Sequence, residues 1–185
     1  MTGVCDVWHF DEIASTQDVA KSLARQGAAA GTLVWADAQT AGRGRLSRRW
    51  KSPKGGLYFS LILRPAFPPA TLADFSLMTA RCLAAAIAQK TGIRTAVKPP
   101  NDVMALSREG KPLKIAGILA EASGRGKTLD WLVAGVGINV NNSPPVPRAA
   151  SLKSLTRKTW DKRRILERFL SGFDRGYKEL SHEFT

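Results

Sequence analysis

The chain has 185 residues, with 28 Lys plus Arg against 15 Asp plus Glu and a formal net charge of +13. That length suits one ordinary domain with a sizeable core, and 44% hydrophobic with 23% charged residues is the composition of a soluble globular protein, which excludes disordered and fibrous classes. The charge predicts attraction to polyanions, whether nucleic acid, nucleotides or an acidic protein, without choosing among them.

The chain opens with "MTGVCDVWHFDE", which lacks the basic start and apolar run of a secretion signal. No segment reads as long enough to cross a membrane, so a reducing cytoplasm is the expected location. Cys5 and Cys82 form no CxxC motif, and His9 and His182 lie far apart, so inert thiols and no zinc site are expected.

"VWHF" reads as a short first strand. "STQDVAKSLARQG" follows as a helix, with Ser15 or Thr16 as its cap, Asp18 in its first turn and Gly27 at its end. "GTLVWADAQ" is β-rich, and "GGLYFSLILRP" is the strongest strand, apolar on both faces and closed by Pro65. "TLADFSLMTARCLAAAIAQKTG" is the strongest helix, with Thr71 and Asp74 at capping-box spacing and Gly92 as its stop. "RTAVK" is a strand, and "PPNDV" forces an extended turn after it. "VMAL", "SREGKP" and "LKIAGILAEA" read as a hairpin, "LDWLVAGVGINVN" as a further strand and "NNSPPVPRAAS" as a loop. "KRRILERFLSGFDRGYKEL" closes the chain as an amphipathic helix. Tandem strands broken by two long helices predict an α+β sheet domain.

The stretch "QTAGRGRLSRRW", Gln39 to Trp50, concentrates arginines on a flexible backbone. Gly42 and Gly44 let the chain approach a ligand closely. Arg43 and Arg45 supply donor forks suited to phosphate or carboxylate, and Trp50 offers a flat stacking face. Nucleic-acid contact, nucleotide or anion binding and a solvated loop all remain open on this stretch alone. The close-set arginines repel one another, and nothing evident in the sequence holds the loop shut. It is therefore expected to be mobile until an anionic ligand orders it.

Four further stretches accompany it in order: "STQD" at the first helix, "SPKGGLYFS" after the loop, "KPPNDV" before a hairpin that returns as "LKIAGILAE", and "GVGINVN". Together they resemble the catalytic domain of biotin protein ligases, also called biotin–[acetyl-CoA-carboxylase] ligases. The resemblance runs from about residue 10 to about residue 180. It implies a mixed, largely antiparallel sheet flanked by helices, as in class II aminoacyl-tRNA synthetases. It also implies that biotin and ATP form biotinyl-5′-AMP, with the biotin then passed to a lysine of a biotin carboxyl carrier protein.

By the same resemblance, Ser15, Thr16, Gln17 and Gln39 would line the biotin pocket, with Gln17 replacing the family's more usual Asn. Arg43, Gly44 and Arg45 would close over biotin and the phosphates. Trp50 would lie near the adenine, and Asn101 and Asp102 near the ATP phosphates, with Asp102 as a ligand for Mg²⁺. Lys114 would face the biotin carboxylate, making Lys114, Arg43 and Arg45 the catalytic cations. Gly117, Gly135, Gly137 and Asn139 would floor the site, Asn139 on the ATP side.

Two features depart from the common pattern. Pro99 stands where the family commonly has Trp in Lys-Trp-Pro-Asn-Asp. The residues also spell neither the winged-helix domain of the repressor members nor the small C-terminal β-barrel, so one catalytic domain over 1–185 is expected, without specific DNA binding or a membrane partner. An acidic carrier domain and a homodimer are the remaining partner expectations. A lipoate or octanoate ligase of the same fold, or a basic nucleic-acid-binding module without catalysis, are the alternatives.

Overall fold

A computed structural model describes residues 3–106 and 110–182. Strand β1 (Asp6–Ile13), helix α1 (Thr16–Arg25) and strand β2 (Thr32–Gln39) form a crossover unit in which β1 and β2 run parallel. Strand β3 (Leu57–Leu63) returns antiparallel to β2, and helix α2 (Leu72–Thr91) follows. Then come β4 (Thr95–Lys98), β5 (Asp102–Leu106), β6 (Pro112–Arg125) and β7 (Thr128–Ile138), all joined by antiparallel pairing. Helices α3 (Leu152–Thr156) and α4 (Lys162–His182) complete the order. The sheet has seven strands in the order β1-β2-β3-β7-β6-β5-β4, the mixed, largely antiparallel α+β arrangement expected.

The two sheet faces differ in what covers them. Alternate residues of β3 and β7 (Leu57, Phe59, Leu61, Leu132, Ala134, Val136) point to the face covered by α2 and α4. Phe67, Phe75, Phe173 and Tyr177 form an edge-to-face and stacked aromatic group between these helices. The helices approach closely at Gly176, where a Cβ would lie 2.9 Å from the Met78 sulfur. The opposite face carries Ile62, Trp131 and Val133, packed under Ala20 and Ala24 of α1. Helix α1 covers only part of that face, and the remainder is open to the site.

Some local expectations change. Thr71 does not cap α2, because a 3-10 turn over Pro69–Thr71 already places it in helical backbone (φ −74, ψ −6), where no side-chain capping bond forms. Gly92 does end α2, at φ 73. Helix α3 begins just past the stretch read as a loop, in residues to which the sequence reading assigned no element, and is capped by reciprocal bonds between Ser151 and Ser154. Pro69–Thr91 does pass a length-and-hydropathy test for a membrane span, with 23 residues and a mean hydropathy of 1.3 in its most apolar window, contrary to the sequence reading. In the fold this apolarity is turned inward: Phe75, Ala80, Leu83 and Ile87 are fully buried. Cys5 is exposed, whereas burial pushes the Cys82 thiol pKa up. The hairpin tip at 107–109 lies outside the described residues.

The aromatic group supplies the seam between α2 and α4. Phe75→Ala is expected to destabilise the fold by about 3–5 kcal/mol, read as a lower midpoint in chemical denaturation.

Candidate active site

The open part of the face is a sheet surface with few side chains. Ser60 of β3 pairs with Gly135 of β7, and Gly137 of β7 pairs with Gly117 of β6. A cavity of 210 Å³ stands on this floor. The glycines are required by what descends onto them. A Cβ at Gly135 would lie 2.3 Å from Gln17 Oε1, and one at Gly137 2.5 Å from Trp50 Nε1.

The N-terminal turn of α1 forms one end. Ser15 is in extended backbone (φ −161, ψ 128), but neither it nor Thr16 makes the expected capping bond. Gln39 serves instead: its Oε1 accepts from the Thr16 amide at 2.8 Å and from the Thr16 hydroxyl at 3.2 Å. Gln39 Nε2 donates to Ser52 Oγ at 2.8 Å. The Ser60 hydroxyl donates to Gln17 Oε1 at 3.0 Å, and Gln17 Nε2 reaches the Val133 carbonyl at 3.3 Å. The length of the Gln17 side chain lets its amide span Gly135 and reach the β7 backbone. This end is therefore neutral and rich in fixed amides and hydroxyls. The Ser15 hydroxyl is buried there without a hydrogen-bond partner.

The arginine stretch folds over the floor from the other side. Its stems meet at Gln39–Ser52 and Arg43–Arg49, and the Trp50 amide donates to the Gly42 carbonyl at 2.9 Å. A Cβ at Gly42 would lie 2.5 Å from the Trp50 carbonyl oxygen, so glycine is needed at that crossing. Tyr58 holds the exit stem through a 2.7 Å bond to the Pro53 carbonyl, and burial pushes its phenol pKa far up. At the tip, Leu46 and Ser47 both have left-handed backbone (φ 54 and 59), and Leu46 is 81% exposed.

The expectation that nothing holds this loop is corrected by specific bonds. Arg43 Nε donates to Asp18 Oδ2 at 2.8 Å, Arg45 Nη1 to Asn101 Oδ1 at 3.1 Å, and Arg49 Nη2 to the Thr40 carbonyl at 3.2 Å. The bond to Asp18, with its charge, raises the already high pKa of Arg43. The partners lie 25 and 56 residues from Arg43 and Arg45, so the sequence gives no local sign of them.

The remaining end carries Lys114 and Asp102, paired at 2.6 Å, with the Lys114 ammonium 5.3 Å from the Trp50 ring centroid. Lys114 and Gly117 are three apart, so a regular strand would turn them to opposite faces. A register shift in the β5–β6 pairing leaves Ile115 without a partner and brings both residues to the cavity. Asn101 is fixed in turn by a 2.9 Å bond from its Nδ2 to the Ile118 carbonyl.

Among the described residues no three His, Cys, Asp or Glu gather in a way that could hold a metal ion. Asp102, expected to ligate Mg²⁺, pairs through Oδ1 with Lys114. One paired carboxylate does not make a resident metal site; Mg²⁺ fits this site only as part of a MgATP substrate, whose phosphates bring most of its ligands.

The fold thus brings together Ser15, Thr16, Gln17, Gln39, Arg43, Gly44, Arg45, Trp50, Asn101, Asp102, Lys114, Gly117, Gly135 and Gly137 as cavity lining. Asn139 is the exception. It is buried behind the bulge, its amide donating to Ile115, its carbonyl accepting from Leu152 and its Oδ1 accepting from Asn142. These bonds brace the exit from β7 rather than line the cavity. Ser60, Arg48 and Arg49 also line it and were not singled out from sequence. Ser60 had a signal, as the one polar residue inside "LYFSLIL". Pro99 lies elsewhere, in a separate open hollow of 650 Å³ with Val97, Met104, Leu106 and Pro147; Asp102 and Lys114 separate the two spaces.

A family model described as the Biotin/lipoate A/B protein ligase family matches residues 10–139. The chain belongs to this family. The Bacillus subtilis bifunctional ligase/repressor BirA is 37% identical over 185 residues, covering 96% of this chain and 55% of that protein. The Paracoccus denitrificans biotin–[acetyl-CoA-carboxylase] ligase is 38% identical over 132 residues, covering 70% of this chain and 52% of that one. The Aquifex aeolicus biotin protein ligase, solved in complex with biotin and ATP, superposes with a TM-score of 0.79 at 32% identity, covering 96% of this chain and 72% of that one. The chain spans about half the length of these curated relatives.

Trp50 rests on Gly137 with its buried Nε1 unpaired. Gly137→Ala is expected to lift the ring and loosen the loop, read as a red-shifted tryptophan emission that is absent when Trp50 is also replaced by Phe.

Proposed function

We propose that this chain activates biotin with MgATP to biotinyl-5′-AMP and transfers the biotinyl group to a lysine of a biotin carboxyl carrier protein. The observation that carries the reading is the polarity of one cavity. A neutral amide-and-hydroxyl end faces a cationic end, matching an acid with a neutral polar head and a carboxylate tail. The Ser15 hydroxyl and Trp50 Nε1, both buried without partners, mark groups that a ligand would satisfy. Leaving such a group unpaired costs about 1–3 kcal/mol, so their retention favours a binding role.

The chemistry follows from charge. A carboxylate oxygen must attack the α-phosphorus of a polyanion, and the two repel unless cations lie between them. Lys114, Arg43 and Arg45 all line the cavity. Arg43 and Arg45 use one donor each on Asp18 and Asn101, and a guanidinium carries five. Their remaining donors can take phosphate oxygens, whose charge grows at the leaving pyrophosphate. Magnesium bound to the triphosphate supplies further charge neutralisation. No covalent enzyme intermediate is needed, since orientation and electrostatics suffice. In the second half-reaction a neutral carrier lysine attacks the acyl carbon and AMP leaves. Asp102 limits the freedom of Lys114 and so keeps its ammonium beside the reacting oxygens.

The first test is biotin-dependent exchange between pyrophosphate and ATP, with lipoate and octanoate as competing acids. Exchange driven by biotin supports the reading; exchange driven only by the fatty acids moves it to the lipoate side of the family, and none at saturation removes it. Lys114→Ala is expected to slow adenylation about a hundredfold, on the order of 3 kcal/mol of transition-state stabilisation. The +13 charge further suggests electrostatic encounter with an acidic carrier. Raising salt is then expected to slow transfer through association more than it slows adenylation, measured in separate half-reaction assays.

A further inference from the structure

Arg43 is positioned by a charge ladder that reaches away from the cavity. Its Nε meets Asp18 Oδ2 at 2.8 Å, Asp18 Oδ1 meets Lys21 Nζ at 3.4 Å, and Lys21 Nζ meets Glu121 Oε1 at 2.9 Å. The ladder runs from the arginine loop, across one turn of α1, to strand β6. Its charges alternate and cancel. Each Asp18 oxygen serves a different cation, so the partly exposed carboxylate bridges the two. Lys21, the middle rung, is only 14% exposed.

We propose that Asp18 is a positioning residue that latches the arginine loop over the cavity by fixing Arg43. The proposal rests on the ligase reading for its effect on the reaction, although the latch itself does not. The loop needs such a tie for two reasons. Arg43, Arg45, Arg48 and Arg49 repel one another, and Leu46 and Ser47 hold unfavourable left-handed backbone at the tip. The loop bonds made by Arg45 and Arg49 go to neutral oxygens. The Arg43–Asp18 contact joins opposite charges, and it anchors the loop to the helix turn that carries Ser15, Thr16 and Gln17. Through Asp18, the neutral end of the cavity and its cationic cover move as one body. A bland role also exists, because an acid in the first turn of a helix stabilises that helix through its dipole. The experiment must separate the two.

A double-mutant cycle with trypsin does so. Cutting at Arg45, Arg48 and Arg49 is measured in the parent, Asp18→Asn, Arg43→Gln and the double variant, normalised to cutting at the Arg125–Lys127 turn. Because the pair is partly exposed, each single variant is expected to speed loop cutting about threefold to fivefold. The double is expected to match the faster single, since the two groups act as one unit. Asp18→Glu should recover much of the protection. In the exchange assay Asp18→Asn should lower kcat/KM for biotin by a similar factor. Unchanged loop cutting in Asp18→Asn overturns the latch. So does an Asp18→Asn effect of full size in the Arg43→Gln background, which would assign Asp18 to the helix alone. If the cycle shows coupling while the parent has no biotin-dependent exchange, the ligase reading fails and the latch stands.

Discussion

The site depends on a stretch of sheet with almost no side chains. Sheet faces in a core of this size are normally filled by alternating large residues. Here Gly117, Gly135, Gly137 and Ser60 leave the α1 side of three adjacent strands nearly bare, while the other side of the same strands carries Phe59, Leu61, Ala134 and Val136. That asymmetry makes the space. It lets Gln17 cross β7 to reach backbone carbonyls, and it lets an indole lie flat on the floor. A methyl group at either glycine would occupy the volume these side chains use. The cavity is therefore not a gap left by poor packing. It is a defined volume whose walls are side chains from other elements.

The second constraint is the bulge at Ile115. It turns a lysine that regular alternation would send to the other face toward the glycine floor, and its backbone is braced from behind by Asn139 and the chain leading to α3. Asn139 thus supports the cationic end without touching the cavity.

What was legible in the sequence follows from range. Local patterns exposed β3, α2 and α4, because apolar periodicity and a stop glycine act within a few residues. The ordered motifs exposed most of the cavity lining through the family they resemble; the glycines and arginines taken alone left several readings open. Partners distant in sequence were illegible. Nothing in "GRGR" points to Asp18 or Asn101, and nothing in "STQD" says that Gln39 will take the helix cap in place of Ser15. Thr71 misled for a related reason: capping-box spacing was present, but Pro69 had already begun a turn that fixed the backbone in the wrong conformation for a cap. Asp102 shows the same limit: the motif names a carboxylate, and only the fold brings Lys114 within 2.6 Å of it.

The walls of the cavity come from segments far apart along the chain: residues 15–17, 39–50, 60, 101–102, 114–119 and 135–137. The arginine stretch contributes the most lining residues, and the others come from strands and a helix turn distant from it in sequence. A molecule seated there ties together loops whose closure costs entropy, in the manner of a reversible staple. Its binding energy appears as resistance of the whole chain to unfolding as well as protection of the segments it touches. Occupancy and foldedness are thus linked equilibria, and a fragment containing the arginine loop without β6 and β7 would have nothing to close over.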